Sequence, residues 1–155
     1  MMSVDLLDIL DRARAPYELI PHAPTESARA EADELGLALD AVAKTIVVHT
    51  PTGSVRTVLP AARRLDLHKL RAALGLHCRV KLATEAELAD EYPEFEVGST
   101  PPLGGAHVDR VLVDSAVVDH DSIVLEAGSH RRSLRMRPAD LVAAAGADVA
   151  EISRD

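Results

Sequence analysis

The chain has 155 residues, 47% of them hydrophobic and 27% charged, with a formal net charge of −8. That length and apolar content suit one domain over residues 1–155 that buries its core without disulfides. No apolar run approaches the roughly 18 residues of a bilayer-spanning helix, the first residues lack the basic start of a secretory leader, and Cys78 has no second thiol to pair with. A membrane partner is therefore excluded, and the cytoplasm is the expected compartment.

Leu6, Leu7, Leu10 and Ala13 repeat at helical spacing between Ser3, a candidate N-cap, and Pro16. Tyr17 to Ile20 reads as a short strand closed by Pro21. Thr25 opens a second helix stopped by Gly36, and Asp40 caps a short turn. Lys44 to His49 and Val55 to Leu59 flank Pro51-Thr-Gly-Ser54, a strand–turn–strand signal with Lys44 at the mouth of the first strand. Asp66 caps a helix that ends before Gly75. Cys78 then reads as a small core residue beside the strand-like Arg79 to Leu82, and Thr84-Glu-Ala-Glu87 is a capping box.

Phe95 to Gly105 has three glycines and two adjacent prolines, which excludes a regular helix or central strand and leaves a shaped loop. Val108 to Val113, Ser122 to Leu125 and Ser133 to Met136 are strand-length apolar runs. Pro138 starts a last helix that Gly146 stops. The interleaving predicts an α+β domain around a mixed sheet.

Three aromatic residues, Tyr17, Tyr92 and Phe95, are too few for a platform on which successive bases stack. The charge is nonetheless uneven. Residues 44–83 hold eight Lys or Arg against one acid, and Arg131, Arg132, Arg135 and Arg137 form a second basic cluster. These make local contact with a polyanion compatible with an acidic body.

The seven histidines have no zinc-binding spacing, and there is no GxSxG elbow or phosphate-binding loop. The informative segment is Gly98-Ser-Thr-Pro-Pro102 with Leu103-Gly-Gly105. Glycine lets the main chain approach a ligand, proline removes donors at fixed points, and the remaining N–H groups are left free to hold an oxygen atom. Lys44 can reach into a cleft, and Gly128-Ser-His130 makes a tight turn between two strands. Ser99 with His130 is the only hydrolase-like pair, and a weak one.

Val42-Ala-Lys-Thr-Ile-Val47, Leu59-Pro60 before Leu67-His-Lys-Leu70, Val80-Lys-Leu82, Gly98-Ser-Thr-Pro-Pro-Leu-Gly104 and Gly128 to Arg137 together resemble the YbaK/EbsC-type aminoacyl-tRNA editing domain, from about Tyr17 to Val142. That family includes free-standing deacylases and the editing insertion of bacterial prolyl-tRNA synthetases. The resemblance implies a mixed sheet curled into a barrel-like half-shell with helices outside. It implies hydrolysis of the ester of a mischarged tRNA, without cofactor or metal, with Lys44, Gly98 and His130 as catalytic residues.

Ser99, Thr100, Pro101, Pro102, Gly104 and Gly128 would bind substrate. Water would be activated with the help of the substrate's ribose hydroxyl rather than a protein nucleophile. The implied partner is the acceptor end of aminoacyl-tRNA, not DNA, with a synthetase as a candidate second partner; from the charge distribution, Arg63, Arg64, Lys69 and Arg71 with the cluster Arg131 to Arg137 are expected on the tRNA-facing surface. The alternative from another class is a non-catalytic module that binds a tRNA end or a small ligand in the same cleft. A weaker third reading is a hydrolase of small esters.

Overall fold

The computed structural model describes residues 5–155. Helix α1 (Leu6–Arg12) buries Leu6 and Leu10, one turn apart, and Asp5 stands at its N-cap without a side-chain bond; Ser3 lies outside the described residues. Strand β1 (Tyr17–Pro21) follows. Helix α2 (Ala28–Leu35) is capped two residues later than the sequence suggests, at Ser27, whose hydroxyl accepts from the Ala30 N–H. Thr25 is instead drawn away from the helix, its N–H donating to the His130 carbonyl at 2.9 Å. Gly36 ends α2 at φ +67°, a left-handed conformation that favours glycine. Asp40 lies inside a single 3-10 turn, Leu39–Ala41, whose N-cap is Ala38.

Strands β2 (Val42–Thr50) and β3 (Gly53–Pro60) form the expected hairpin. A short β4 (Arg64–Leu65) leads into α3 (Leu67–Leu74), capped by Asp66. Strand β5 is only Lys81–Leu82, so no alternating pattern reaches back to Cys78, which is exposed rather than in the core. Helix α4 (Glu85–Glu91) carries both bonds of its capping box. Beyond the loop come β6 (Arg110–Asp114), α5 (Ser115–Val118), β7 (Ile123–Glu126), β8 (Arg132–Met136), α6 (Pro138–Ala145), β9 (Asp148–Ala150) and β10 (Ser153–Arg154). No described helix is long and apolar enough to cross a membrane.

The fold is α+β around a mixed sheet, ordered β1-β8-β7-β2-β3-β6-β9, with β5 also on β2 and a separate β4–β10 ribbon. Pairs β2/β7, β3/β6 and β6/β9 are parallel and the rest antiparallel. The sheet is curled but not a closed barrel, since the strand path runs openly from β1 to β9. Alternate residues of β6 serve opposite faces: Val111 and Val113 pack with Leu6, Leu10 and Leu141, while Leu112 packs with Leu70 and Ile152. Both faces are therefore apolar, and helices cover them.

Candidate active site

The site sits where the sheet splits. On one side of β2, pairing with β7 stops at Ala43↔Leu125 and pairing with β5 begins at Val48↔Leu82. The Val47 carbonyl accepts from the Ala83 N–H on that side, so the antiparallel alternation turns the N–H and C=O of Thr45 toward the same opening. Lys44 to Val47 thus face a cleft in the middle of an otherwise continuous sheet.

A cavity of about 250 Å³ fills this opening. It is lined by Lys44, Thr45 and Ile46 of β2, Gly98 and Thr100 of the loop, Glu126 at the end of β7, and Glu26, Ser27 and Ala28 at the start of α2. An apolar recess continues it past Ile46, Val47, Leu82 and Leu88. On the other side of Lys44 lies an open groove of about 580 Å³, floored by Ile46, Leu65, Leu67 and Leu82 and edged by Arg64 and Arg154.

Burial, and then the nearby Arg64 charge, hold the Lys44 ammonium below its ordinary pKa. Its Nζ donates only a long bond, 3.5 Å, to the Ala61 carbonyl. Lys44 and the start of α2 bring positive character to a cavity that the carboxyl-bearing Glu26 and Glu126 also line.

Ser99 N–H and Oγ both donate to the Glu96 carbonyl, at 3.0 and 2.8 Å, and the two prolines have no N–H to give. Among the described residues, the N–H groups of Gly98 and Thr100 have no partner, and these two residues line the cavity. Gly98 is at φ +88°.

Ser99, Pro101, Pro102 and Gly104 do not line this cavity; they are buried on the loop's inner side. Ser99 does not bond to His130, whose Nε2–H donates to the Val97 carbonyl at 2.8 Å. Gly128, at φ +87°, packs against Phe95, whose Cδ1 would lie 2.8 Å from an added Cβ. Gly128 shapes the turn and is absent from the cavity lining.

Arg56 holds the loop from below, and its role could not be separated from the basic segment by charge alone. It is only 1% exposed. Its Nε donates to Asp109 at 2.9 Å, Nη1 to the Pro101 carbonyl at 3.0 Å, and Nη2 to the carbonyls of Gly104 at 2.7 Å and His107 at 3.3 Å. Tyr92 stacks under the guanidinium at 4.9 Å and donates its hydroxyl to Asp109. A lone arginine inside Val55-Arg-Thr-Val-Leu59 was the available signal.

Glu126 was also missed, although an acid closing the buried run Ile123-Val-Leu125 is a recognisable oddity. Burial, then the charges of Glu31 and Glu96, push its carboxyl up to about 8. Behind it lies a second polar group: His22 Nε2 is 2.7 Å from Ser133 Oγ, which donates to the fully buried Glu31.

The basic residues divide. Arg63 donates to Ser153 Oγ and Asp155, and Lys69 to Glu151 and the Ser153 carbonyl, so both are committed to the C-terminal segment that Asp114 anchors through Ile152 and Ser153. Arg71, in the last turn of α3, does not line the groove. Arg64 does, directly opposite Arg154 in the β4–β10 ribbon, and neither makes an ion pair among the described residues. Arg132, Arg135 and Arg137 face Asp5, Glu18 and Asp140. One cluster with metal-ligating atoms occurs among the described residues, His49 with Glu87 and Glu91 at 3.1 and 2.8 Å, brought together from β2 and α4.

The split sheet thus opens on one cavity that Lys44, Gly98, Thr100 and Glu126 line together. The aminoacyl-tRNA editing domain matches residues 22–144, and the chain belongs to that family. Among solved structures, the hypothetical protein APE2540 is similar with a TM-score of 0.88 and 24% identity, covering 96% of this chain and 99% of its own. A proposed trans-editing enzyme for prolyl tRNA synthetase is similar with a TM-score of 0.80 and 23% identity, covering 90% and 87%. A protein from Marinobacter aquaeolei VT8, described as acting in signal transduction, has a TM-score of 0.71 and 16% identity, covering 97% of this chain but 30% of its own. At these identities the likeness is one of fold.

Proposed function

We propose that the protein is an aminoacyl-tRNA deacylase that hydrolyses the ester of a mischarged tRNA. The observation that supports this reading is that one cavity is lined by Lys44 together with Gly98 and Thr100, whose N–H groups have no partner among the described residues. Lys44 orients the terminal nucleotide through its phosphate or sugar oxygens. The loop N–H groups bind the ester carbonyl and, more strongly, the oxyanion that forms when water adds, where one preorganised donor is worth about 2.7–4 kcal/mol.

The cavity-lining hydroxyls of Ser27, Thr45 and Thr100 are not bonded to an imidazole or carboxylate among the described residues. Nothing there activates a protein nucleophile, which favours water attack assisted by the substrate's own ribose hydroxyl. In the adjoining groove, Arg64 and Arg154 flank an apolar floor, a combination suited to a nucleotide with its phosphate. We assign this groove to the acceptor strand, with Arg64 as its contact.

The test is a deacylation panel of alanyl-, cysteinyl-, seryl- and threonyl-tRNAs, with tRNA for proline among the bodies because one structural relative is described as acting beside that synthetase. Catalytic release of free amino acid from at least one is expected. Saturable binding without turnover on all of them would replace the enzyme by a binding module.

A further inference from the structure

We infer that Glu126 is a positioning residue: its carboxyl shares one proton with Nδ1 of His130, locking the ring's Nε2–H onto the Val97 carbonyl and so fixing the peptide whose other side carries the Gly98 N–H. The inference rests on the reading of Gly98 as a donor to the ester.

The geometry sets the protonation. A carbonyl only accepts, so the 2.8 Å contact between His130 Nε2 and the Val97 oxygen requires the proton on Nε2. That leaves Nδ1 with a lone pair. Glu126 Oε2 lies 3.6 Å from it, just outside hydrogen-bond distance, and neither of these two buried atoms has a hydrogen-bond partner among the described residues. A carboxylate facing a lone pair is repulsive, whereas one proton between them makes the pair attractive, and an approach of a few tenths of an ångström completes a hydrogen bond for two buried atoms that otherwise have none.

The Val97 C=O and the Gly98 N–H belong to one rigid plane and point in opposite directions. A ring that holds the carbonyl on one side therefore holds the N–H on the other. Gly98 has no side chain to hold it, and at φ +88° it has wide freedom to turn; the imidazole supplies what the glycine lacks.

The other charged groups around Glu126 favour keeping that proton. Glu31 faces it from α2 and Glu96 from the loop, and both raise its pKa. Lys44 of β2 lines the same cavity, and His22 acts on Glu31 rather than on Glu126. Glu96 is itself held ionised by the His130 and Ser129 hydrogen bonds, at 3.1 and 3.2 Å. With Glu126 near 8, the shared proton is present at neutral pH and lost as pH rises through that value. The loop donor is then released on the alkaline side.

The experiment compares wild type, Glu126→Gln and Glu126→Leu by single-turnover deacylation from about pH 6 to about pH 9.5, with uncatalysed hydrolysis subtracted. A glutamine N–H donates to Nδ1 at every pH, so Glu126→Gln should stay within about threefold of wild type at neutral pH and lose the decline above about pH 8 that wild type shows. Glu126→Leu should be slower by about 10–100-fold at neutral pH, with the gap to wild type closing above about pH 8 and the substrate concentration for half-maximal rate little changed. An identical alkaline decline in Glu126→Gln, or full activity in Glu126→Leu, overturns the inference.

Nitrogen-15 spectra of the His130 ring provide a readout independent of turnover. Protonated Nε2 with unprotonated or proton-sharing Nδ1, changing near pH 8 in wild type and not in Glu126→Gln, is expected. A ring protonated on Nδ1 alone refutes the arrangement. A wild type inert on every tRNA, with the expected spectra, refutes the deacylase reading while leaving the ring's arrangement in place.

Discussion

Replacing Arg56 by Met keeps an unbranched apolar stem in the core and removes the guanidinium bonds by which β3 holds the loop from Pro101 to Asp109. The guanidinium donates to Asp109 and to the carbonyls of Pro101, Gly104 and His107. Hydrogen bonds to a charged group contribute about 1.5–3 kcal/mol each, and four such terms would rival the about 5–15 kcal/mol of a whole domain. They are not additive. The better guide is the cost of breaking a buried pair, about 3–5 kcal/mol, most of it from the charge left behind. That charge is Asp109, whose side chain is 10% exposed and retains only the Tyr92 hydroxyl.

For a chain of this length about 2–4 °C is lost per kcal/mol, so Tm should fall by about 6–20 °C. Adding Asp109→Asn removes the stranded charge and should restore part of the loss, a coupling read from a double-mutant cycle by thermal and urea unfolding. A Tm within about 2 °C of wild type, or a double variant no more stable than Arg56→Met, would refute the account of Arg56 as the loop's support.

Lys44→Ala should leave the circular dichroism spectrum unchanged, because the lysine makes only one long hydrogen bond in the fold, and on the proposed reading should slow single-turnover deacylation by about 100-fold; undiminished turnover would remove it from the site. At Gly98 an added Cβ would lie 3.5 Å from His130 Cε1, an ordinary contact, so the cost of Gly98→Ala is the left-handed backbone, about 1–3 kcal/mol. The rate should fall well beyond any change in tRNA affinity, and equal losses in both would indicate collapse of the loop. Reversing Arg64 and Arg154 together to Glu should weaken aminoacyl-tRNA binding and flatten its log–log salt slope by about 1.4, if each arginine neutralises one single-strand phosphate. Aminoacyl-adenosine should be hydrolysed as before; an unchanged slope places the tRNA backbone elsewhere.

The elements governed by local chemistry were legible in the chain. Asp66, Thr84 and the terminal glycines mark helix ends through bonds that span three or four residues, and the 3-10 turn, the β2–β3 hairpin and the irregular loop likewise follow from nearby residues. The family resemblance also lay in the ordered motifs, from Lys44 to the Gly98–Pro102 loop. Strands of two or three residues, such as β4, β9 and β10, have no periodicity to read; they exist because Asp114 draws Ile152 and Ser153 to it, a contact 38 residues apart in sequence.

The same distinction separates the site residues. Lys44 and Gly98, singled out from their setting in the sequence, line one cavity, whereas Arg63 and Arg64, adjacent and chemically identical, part only when Ser153 and Asp155 claim the first and the groove keeps the second. Arg56 and Glu126 are charges whose function depends on burial. Burial is a property of the sheet's split and of the loop folded over it, and only the tertiary structure decides whether a charge is solvated, paired or left with a single proton to share.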